Sequence, residues 1–379
     1  MIAPFQLLLP GRILFGRGEA AKTAGLAAGF GPRVLLVHGR DAARAAWLRA
    51  DLGRAGCEVH AVTCAQEPDL PMLEAALAGA RAFAPDVVIG LGGGAVLDLA
   101  KALAGLIPAT GAVLDHLEGV GLGLPLTRNP LPFLAVPTTS GTGAEATKNA
   151  VIDVPAERRK VSLRDDRMMA RLAIVDPALT DGCPRAVTLA SGLDALTQVI
   201  EPYLCNRSNP ATDALSRAAI PMALEALPAL MQGEDAGARD AMAWVSLSGG
   251  IALANAGLGA VHGLAGVIGG VTGAAHGAIC GTLLPFVIAA NRAAVPQGPI
   301  ADRLAEVDAM LSAAFGGGAG SEALHRWSRH NGLPGLVALG LGAADHAAVA
   351  AAAAGASSMK ANPVVLPDAV LRDILRAAE

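Results

Sequence analysis

The chain has 379 residues, of which 53% are hydrophobic, 16% are charged and 3% are aromatic, and its net charge is −4. This length predicts two domains with substantial cores, and the high hydrophobic content excludes a disordered chain. Because no block of Lys or Arg occurs and aromatic rings are scarce, nucleic acid is not expected as a partner.

The five cysteines are odd in number and form no Cys-x-x-Cys pair. Neither a disulfide framework nor a thiolate zinc site is predicted, and we interpret the cysteines as buried small hydrophobic residues in a reducing cytosol. The apolar run at residues 2–10 has no positive residue before it, unlike a signal peptide. A cytoplasmic protein is expected.

The first 155 or so residues alternate short β-branched runs with helix-like stretches. Strands are predicted at residues 33–39, 58–64, 86–90 and 133–136, and helices at residues 43–55, 73–84 and 95–106. This β-α-β order predicts a parallel sheet. The segments 151–154 and 161–175 are expected to supply edge strands and the hinge between domains.

After about residue 187 no comparable strand run occurs, and the chain is predicted to be helical. The predicted helices are 187–205, 210–231, 238–256, 276–291, 300–314, 321–330, 344–354 and 368–378. We therefore expect an α/β domain over residues 1–182 and an all-helical domain over residues 183–379.

A long stretch between Asp240 and Arg292 contains no Asp, Glu, Lys or Arg, and the mean hydropathy of the chain is +0.47. The stretch is long enough for two membrane spans. However, neither an aromatic belt nor a basic cluster flanks it. We therefore favour helices buried on all sides in a soluble domain, with membrane insertion as the alternative.

A glycine-rich loop follows the strand predicted at 86–90. The spacing Gly-x-Gly-x-x-Ala, which includes Gly92, Gly93, Gly94 and Ala95, runs into a helix that carries Asp98. Such a loop lets the backbone approach a pyrophosphate at a helix N-terminus, although a plain tight turn would have the same pattern.

A second loop rich in hydroxyl groups follows the next predicted strand and contains Thr138, Thr139 and Thr142. Open α/β sheets bind ligands at the carboxyl ends of adjacent strands. The two loops together predict a dinucleotide site.

A metal site is a further possibility in the second half of the chain. Asp194 and Gln198 are four residues apart on one face of a predicted helix, and His262 and His276 lie in the charge-free stretch. One carboxylate, two imidazoles and an amide oxygen suit Fe²⁺ or Zn²⁺. The alternative is that both histidines are hydrogen-bonded core residues.

These motifs together resemble the iron-containing, group III alcohol dehydrogenase family over nearly the whole chain. The motifs are Gly92–Gly94, the segment 137–145, Asp176-Pro177, the segment 192–197, His262 and His276-Gly277. The resemblance implies a Rossmann-like dinucleotide-binding domain followed by an all-α metal- and substrate-binding domain, a dehydroquinate synthase-like architecture.

The resemblance also implies three metal ligands, namely Asp194, His262 and His276. The fourth ligand of the family is usually a histidine, and Gln198 stands there instead. A second histidine, usual four residues after His262, is replaced by Gly266. We expect weakened binding of Fe²⁺, a shift towards Zn²⁺, or loss of the metal.

For the nucleotide, the resemblance implies pyrophosphate against the glycine loop and Lys160 near the ribose and nicotinamide. Relatives that prefer NAD carry an Asp where this chain has Gly39, followed by Arg40. Without the carboxylate, and with a guanidinium that can bind phosphate bidentately, NADP(H) is expected to bind at least as tightly as NAD(H).

The expected function is NAD(P)-dependent, metal-assisted hydride transfer between an alcohol and an aldehyde or ketone. The alternatives are a metal-independent reductase similar to maleylacetate reductases and a non-catalytic dinucleotide-binding protein. The expected partner is a small-molecule alcohol or carbonyl substrate, and the chain is expected to form a homodimer or larger homo-oligomer. Neither nucleic acid nor a membrane is expected as a partner.

Overall fold

The computed structural model describes residues 2–379, which divide into two compact units. One unit comprises residues 8–139 and 143–181. The other comprises residues 182–379 together with residues 140–142 and the N-terminal residues as far as Leu7.

The first unit is built on a six-stranded, wholly parallel sheet with the strand order β1-β8-β5-β4-β2-β3. The strands are β1 (Ile13–Phe15), β2 (Arg33–Gly39), β3 (Glu58–Cys64), β4 (Val87–Gly92), β5 (Phe133–Pro137) and β8 (Leu172–Val175). Along β2, Val34 and Leu36 belong to one hydrophobic cluster and Leu35 and Val37 to another. Both faces of the sheet are therefore covered, which explains the continuous apolar runs of its strands.

The α-helices of this unit are α1 (Thr23–Ala28), α2 (Ala46–Arg54), α3 (Leu70–Phe83) and α4 (Gly94–Leu106). The Asp69 carboxylate caps α3 by accepting a hydrogen bond from the backbone N–H of Met72 at 2.8 Å. The short α1 was not predicted. The predicted α/β fold class is confirmed.

The prediction for 151–175 was wrong in two respects. Strands β6 (Asn149–Val154) and β7 (Arg159–Arg164) form a separate antiparallel hairpin rather than edge strands of the main sheet. Strand β8 is internal, since it pairs with β5 on one side and with β1 on the other. Its four residues are all buried, as in a strand with neighbours on both sides and both faces covered.

The second unit is helical, as predicted. Its helices are α5 (Arg185–Leu204), α6 (Pro210–Gln232), α7 (Ala236–Asn255), α8 (Ala260–Thr272), α9 (His276–Ala294), α10 (Pro299–Phe315), α11 (Gly320–His330), α12 (His346–Ala354) and α13 (Asp368–Ala377). Helix α8 was missed because four glycines interrupt its pattern, and each glycine costs about 1 kcal/mol of helix propensity. Packing against α9 and α12 compensates for this cost.

The charge-free stretch supplies most of α7, all of α8 and most of α9. By length and composition alone, α6 and α9 are apolar enough to cross a membrane, and α7 with α8, bent by 98°, would count as a third span. In α9, 61% of the apolar 18-residue segment is buried, and Leu283 and Leu284 pack into the core of the helical unit. This burial is what the interior-helix interpretation requires.

Candidate functional site

The glycine loop connects β4 to α4 with little room for side chains. A Cβ atom at Gly92 would lie 2.5 Å from Cγ2 of Val96, and one at Gly93 would lie 3.1 Å from Oγ1 of Thr139. Gly93 is the N-cap of α4 and supplies no capping side chain. The first backbone N–H groups of α4, which include Gly94 and Ala95, therefore have no side-chain cap and suit an anion.

The second loop adjoins the first. Strands β4 and β5 are neighbours, and the Thr138 N–H donates to the Gly92 carbonyl at 2.9 Å. Thr138 and Thr139 therefore lie beside the glycine loop at the carboxyl ends of the strands, as predicted for a dinucleotide site. Thr142 falls in the 140–142 segment that belongs to the helical unit.

Two charged side chains of the α/β unit, those of Asp98 and Lys101, form hydrogen bonds with backbone groups. The Asp98 carboxylate accepts a hydrogen bond from the N–H of Val151 at 3.2 Å and so ties α4 to the hairpin. The buried Lys101 ammonium donates to the carbonyls of Ala144 and Asn149 and to the Thr147 hydroxyl at 2.7–2.9 Å.

Lys160 and the end of β2 lie in the same unit. The Lys160 side chain is only 7% exposed and forms an ion pair with Glu67. At the end of β2, Gly39 has open space around its Cβ position, and the Arg40 guanidinium donates to the Ala65 carbonyl at 3.0 Å. A larger side chain therefore fits at Gly39.

Three helices of the second unit bring four candidate metal ligands together. Asp194 comes from α5, His262 from α8, and His276 and Cys280 from α9, and one ligand atom of each lies within 4.8 Å of all the others. The Asp194 Oδ1 atom is 3.5 Å from Nε2 of His262 and 3.9 Å from Nε2 of His276. The Cys280 Sγ atom is 3.5 Å from Nε2 of His276.

This cluster fits a metal ion. Within residues 2–379, the buried Oδ1 of Asp194 has no hydrogen-bond partner, an uncommon situation for a buried carboxylate. Metal–ligand bonds of about 2.0–2.3 Å in a tetrahedral site separate neighbouring ligand atoms by about 3.3–3.6 Å. Two of the three distances above, Asp194 to His262 and His276 to Cys280, fall in that range.

Glu201 orients one imidazole. Its carboxylate accepts from Nδ1 of His262 at 2.6 Å and from the N–H of Val261 at 2.7 Å. Since Nδ1 is engaged, Nε2 is the nitrogen that points to the cluster, as in carboxylate–histidine–metal triads. Sequence analysis missed Glu201, although it lies seven residues after Asp194 and so two turns along the same face of α5.

The electrostatics of the cluster favour a cation. Burial opposes charge on Asp194, yet the imidazoles of His276 and His262 hold its pKa below the usual value. Burial also disfavours charged imidazoles, but the nearby Cys280 and Asp194 raise the pKa of His276 to about 9 and that of His262 well above its usual value. The raised pKa values of the two imidazoles report the negative charge of the groups around them.

Two positions near the metal cluster, Gln198 and Gly266, depart from the pattern of the family. The Gln198 amide N–H donates to the Gly141 carbonyl at 2.6 Å, so its role as fourth ligand stays a prediction. Gly266 has no neighbouring atom within 4 Å of a Cβ position, so the space next to its backbone is open where the family usually has a histidine. Cys280, interpreted as a hydrophobic residue, belongs to the cluster. Its only local signal was the i, i+4 spacing after His276.

Known protein families match both halves of the chain. Residues 10–177 match "Iron-containing alcohol dehydrogenase", and residues 188–379 match "Fe-containing alcohol dehydrogenase family, C-terminal". This chain belongs to the iron-containing alcohol dehydrogenase family. The resemblance found in the sequence is thereby confirmed.

Individual relatives carry alcohol dehydrogenase names. The chain is 42% identical over 239 residues to long-chain-alcohol dehydrogenase 1 of Geobacillus thermodenitrificans, which is 62% of this chain and 60% of that protein. It is 37% identical over 253 residues to NAD-dependent methanol dehydrogenase of Bacillus methanolicus, 66% of this chain and 65% of that protein. The alignments thus span less than two thirds of either relative.

Among solved structures, a 1,3-propanediol oxidoreductase superimposes with a TM-score of 0.88 at 28% identity and covers 100% of both chains. The two-domain architecture of the iron-containing alcohol dehydrogenase family therefore extends over the whole described chain.

Proposed function

We propose that this chain is an NAD(P)-dependent oxidoreductase that interconverts an alcohol with an aldehyde or ketone. The observation that carries the proposal is the buried Oδ1 of Asp194, which accepts no hydrogen bond although it lies 3.5 Å and 3.9 Å from the imidazoles of His262 and His276. A core packed only for stability leaves few such oxygens, whereas a divalent ion would satisfy this one.

Asp194, His262 and His276 would hold the ion, Fe²⁺ or Zn²⁺. When bound, it supplies a Lewis acid that stabilises negative charge on the substrate oxygen. Glu201 keeps His262 in the tautomer whose Nε2 is a ligand. The low solvent exposure of Asp194 and His262, at 3% and 7% of their side chains, excludes water from this part of the cluster.

The nucleotide would supply or accept the hydride. Gly92 and Gly93 allow its pyrophosphate to approach the backbone, and the uncapped N–H groups of α4 stabilise the negative charge of the phosphates. Gly39 and Arg40 favour acceptance of NADP(H), because no carboxylate repels a 2′-phosphate there and a guanidinium lies beside it.

A metal-independent reductase of the same fold is the second candidate. It is favoured by the neutral Gln198, which stands where the family usually has a histidine ligand, and by the absence of a side chain at Gly266.

One experiment separates the candidates. The metal content of the isolated protein and its turnover with NADH and NADPH over a panel of aldehydes would be measured for the wild type and for His276→Ala. We expect the variant to lose metal and turnover together, and His330→Ala, an exposed histidine of α11, to lose neither. Full-rate turnover by metal-free protein would favour the metal-independent reductase. Nucleotide binding without any turnover would favour a non-catalytic protein.

We further propose a cytoplasmic protein that forms a homodimer or larger homo-oligomer and takes neither nucleic acid nor membrane as a partner. The low charged content of 16% supports association between copies. Fractionation without detergent and light scattering test these points. Recovery only in the membrane pellet would contradict the proposed cytoplasmic location.

A further inference from the structure

The fourth donor of the metal-binding cluster is the thiol of Cys280, which the sequence indicated only as a buried hydrophobic residue. We propose that Cys280, rather than Gln198, is the fourth metal ligand, and that this substitution makes the site prefer Zn²⁺ to Fe²⁺. The proposal rests on the proposed function only in that both require an ion at Asp194, His262 and His276.

The position of Cys280 suits coordination. It lies one helical turn after His276 on α9, so that both side chains leave the same face of the helix. Its Sγ atom is 3.5 Å from Nε2 of His276. Bond lengths of about 2.3 Å to sulfur and 2.0–2.1 Å to nitrogen place these two atoms about 3.5 Å apart in a tetrahedral site.

Gln198 is held by other groups. Its amide N–H donates to the Gly141 carbonyl at 2.6 Å, and the residue is only 2% exposed. A Cβ atom at Gly249 of α7 would lie 3.0 Å from the Cβ of Gln198, so the glycine makes room for this residue. These contacts assign Gln198 a structural role, in which it ties α5 to the 140–142 segment.

Charge balance also favours the thiolate. A divalent ion bound by the Asp194 carboxylate and the Cys280 thiolate has both of its charges compensated by its own ligands, whereas with the neutral amide of Gln198 the second negative charge would be that of Glu201, which is hydrogen-bonded to His262 and does not itself belong to the cluster. Net charge is costly in a buried site. The stretch that carries His262, His276 and Cys280 contains no Lys or Arg, so it offers the two anions no permanently charged side chain as a counterion.

The thiolate of Cys280 then determines which metal ion the site prefers. Thiolate is a soft ligand that favours Zn²⁺, and Zn²⁺ already exceeds Fe²⁺ in affinity for most nitrogen, oxygen and sulfur sites. Replacing an imidazole with a thiolate therefore moves the site further towards zinc.

Cobalt substitution tests the ligand directly, because a Co²⁺–thiolate bond gives a charge-transfer band in the near ultraviolet. The spectrum and the affinities for Zn²⁺ and Fe²⁺ would be measured in the full-length wild type, Cys280→Ser, Gln198→Leu and Cys205→Ser. Cys205 is a matched control, since it is equally buried in the helical unit but lies outside the cluster.

We expect the band in the wild type, Gln198→Leu and Cys205→Ser, and its loss in Cys280→Ser. The zinc affinity of Cys280→Ser should fall by more than the about 10–100-fold that loss of an outer-shell partner causes, and its preference for zinc over iron should shrink.

Persistence of the band in Cys280→Ser, its loss in Gln198→Leu, or cobalt binding without a band in the wild type would overturn the proposal. These outcomes are independent of turnover. A protein that reduces aldehydes but shows no band contradicts only the ligand assignment, whereas a band without turnover contradicts only the proposed function.

Discussion

Glu201 shows how one residue that does not itself reach the metal cluster can control it. Both carboxylate oxygens are used, one by Nδ1 of His262 and the other by the N–H of Val261. The imidazole is thereby fixed in rotation and tautomer. We classify Glu201 as a positioning residue.

Glu201→Gln should therefore lower zinc affinity by about 10–100-fold, because an amide is a weaker acceptor than a carboxylate and can also present its N–H to the ring. Competition with a chromophoric chelator measures this loss. Glu306→Gln, which makes the same substitution on α10 beside Tyr203 and Arg217, is the control and should leave zinc affinity unchanged. Equal affinities in wild type and Glu201→Gln would show that His262 needs no support.

The predicted preference between NADPH and NADH depends on Gly39. Since its Cβ position is open, Gly39→Asp can be made without steric conflict, and the new carboxylate would repel a 2′-phosphate while accepting hydrogen bonds from ribose hydroxyls. We expect the ratio of NADPH to NADH affinity to fall by at least about tenfold, which corresponds to about 1.4 kcal/mol. Nucleotide titration followed by fluorescence measures the ratio. A wild type that strongly favours NADH would contradict the argument from Gly39 and Arg40.

At the scale of elements, the junction of β4 and α4 is closely packed at the place where we propose that the nucleotide binds. A Cβ atom at Gly92 would lie 2.5 Å from Val96 Cγ2 and 2.6 Å from Val96 Cβ. The β-branched Val96 cannot swing away, because its χ1 angle is restricted in a helix. The strand and helix would have to separate, and the N–H groups that we propose as the pyrophosphate site would move with them.

Gly92→Ala should lower the free energy of unfolding by about 1–3 kcal/mol and weaken nucleotide binding. Guanidinium denaturation and nucleotide titration measure the two effects. Gly53→Ala on α2, where no atom lies within 4 Å of a Cβ position, provides the contrast, because alanine favours helix by up to about 1 kcal/mol. If the two variants had the same stability, the close contact at Gly92 would not limit packing.

Elements with a clear period were predictable from sequence, and their arrangement was not. The apolar runs of β2 and β3 gave both strands with their observed bounds. By contrast, the inner position of β8 depends on β1, a three-residue strand more than 150 residues earlier in the chain. Local periodicity carries no information about such a pairing.

The metal cluster shows the same limit. Asp194, His262 and His276 were candidate ligands by residue type, and the family resemblance supported them, whereas Cys280 joins them because α5, α8 and α9 converge. No spacing within one helix reports that convergence. The i, i+4 relation of His276 and Cys280 was visible, but a buried cysteine is usually a small hydrophobic residue.

At the scale of the whole chain, stability depends on pH through buried titratable groups such as Glu145. Burial raises the pKa of this carboxyl from 4.5 to about 7, and the Lys101 ammonium opposes the shift only in part. The folded chain thus retains a proton that the unfolded chain has lost between pH 4.5 and 7. Folding binds protons in that window, so this contribution to stability is present below pH 4.5 and is lost as the pH rises to about 7.

Glu145→Gln should remove this dependence, because the amide resembles the protonated carboxyl at every pH. Relative to wild type, the free energy of unfolding of the variant should increase between pH 4.5 and 7, by about 1–3 kcal/mol. Guanidinium denaturation at several pH values in this window measures the difference. Subtracting the wild type at each pH removes the titration of the histidines, which both proteins share.

Glu74→Gln provides the matched control for the change of charge. Glu74 is exposed on α3, where water solvates the carboxylate in the folded and unfolded chains alike, so the difference from wild type should stay flat with pH. A flat profile for Glu145→Gln as well would mean that Lys101 stabilises the carboxylate enough to offset its burial. In that case Glu145 and Lys101 would act as an ion pair at neutral pH, and Lys101→Met would destabilise the chain far less in the Glu145→Gln background than in the wild type.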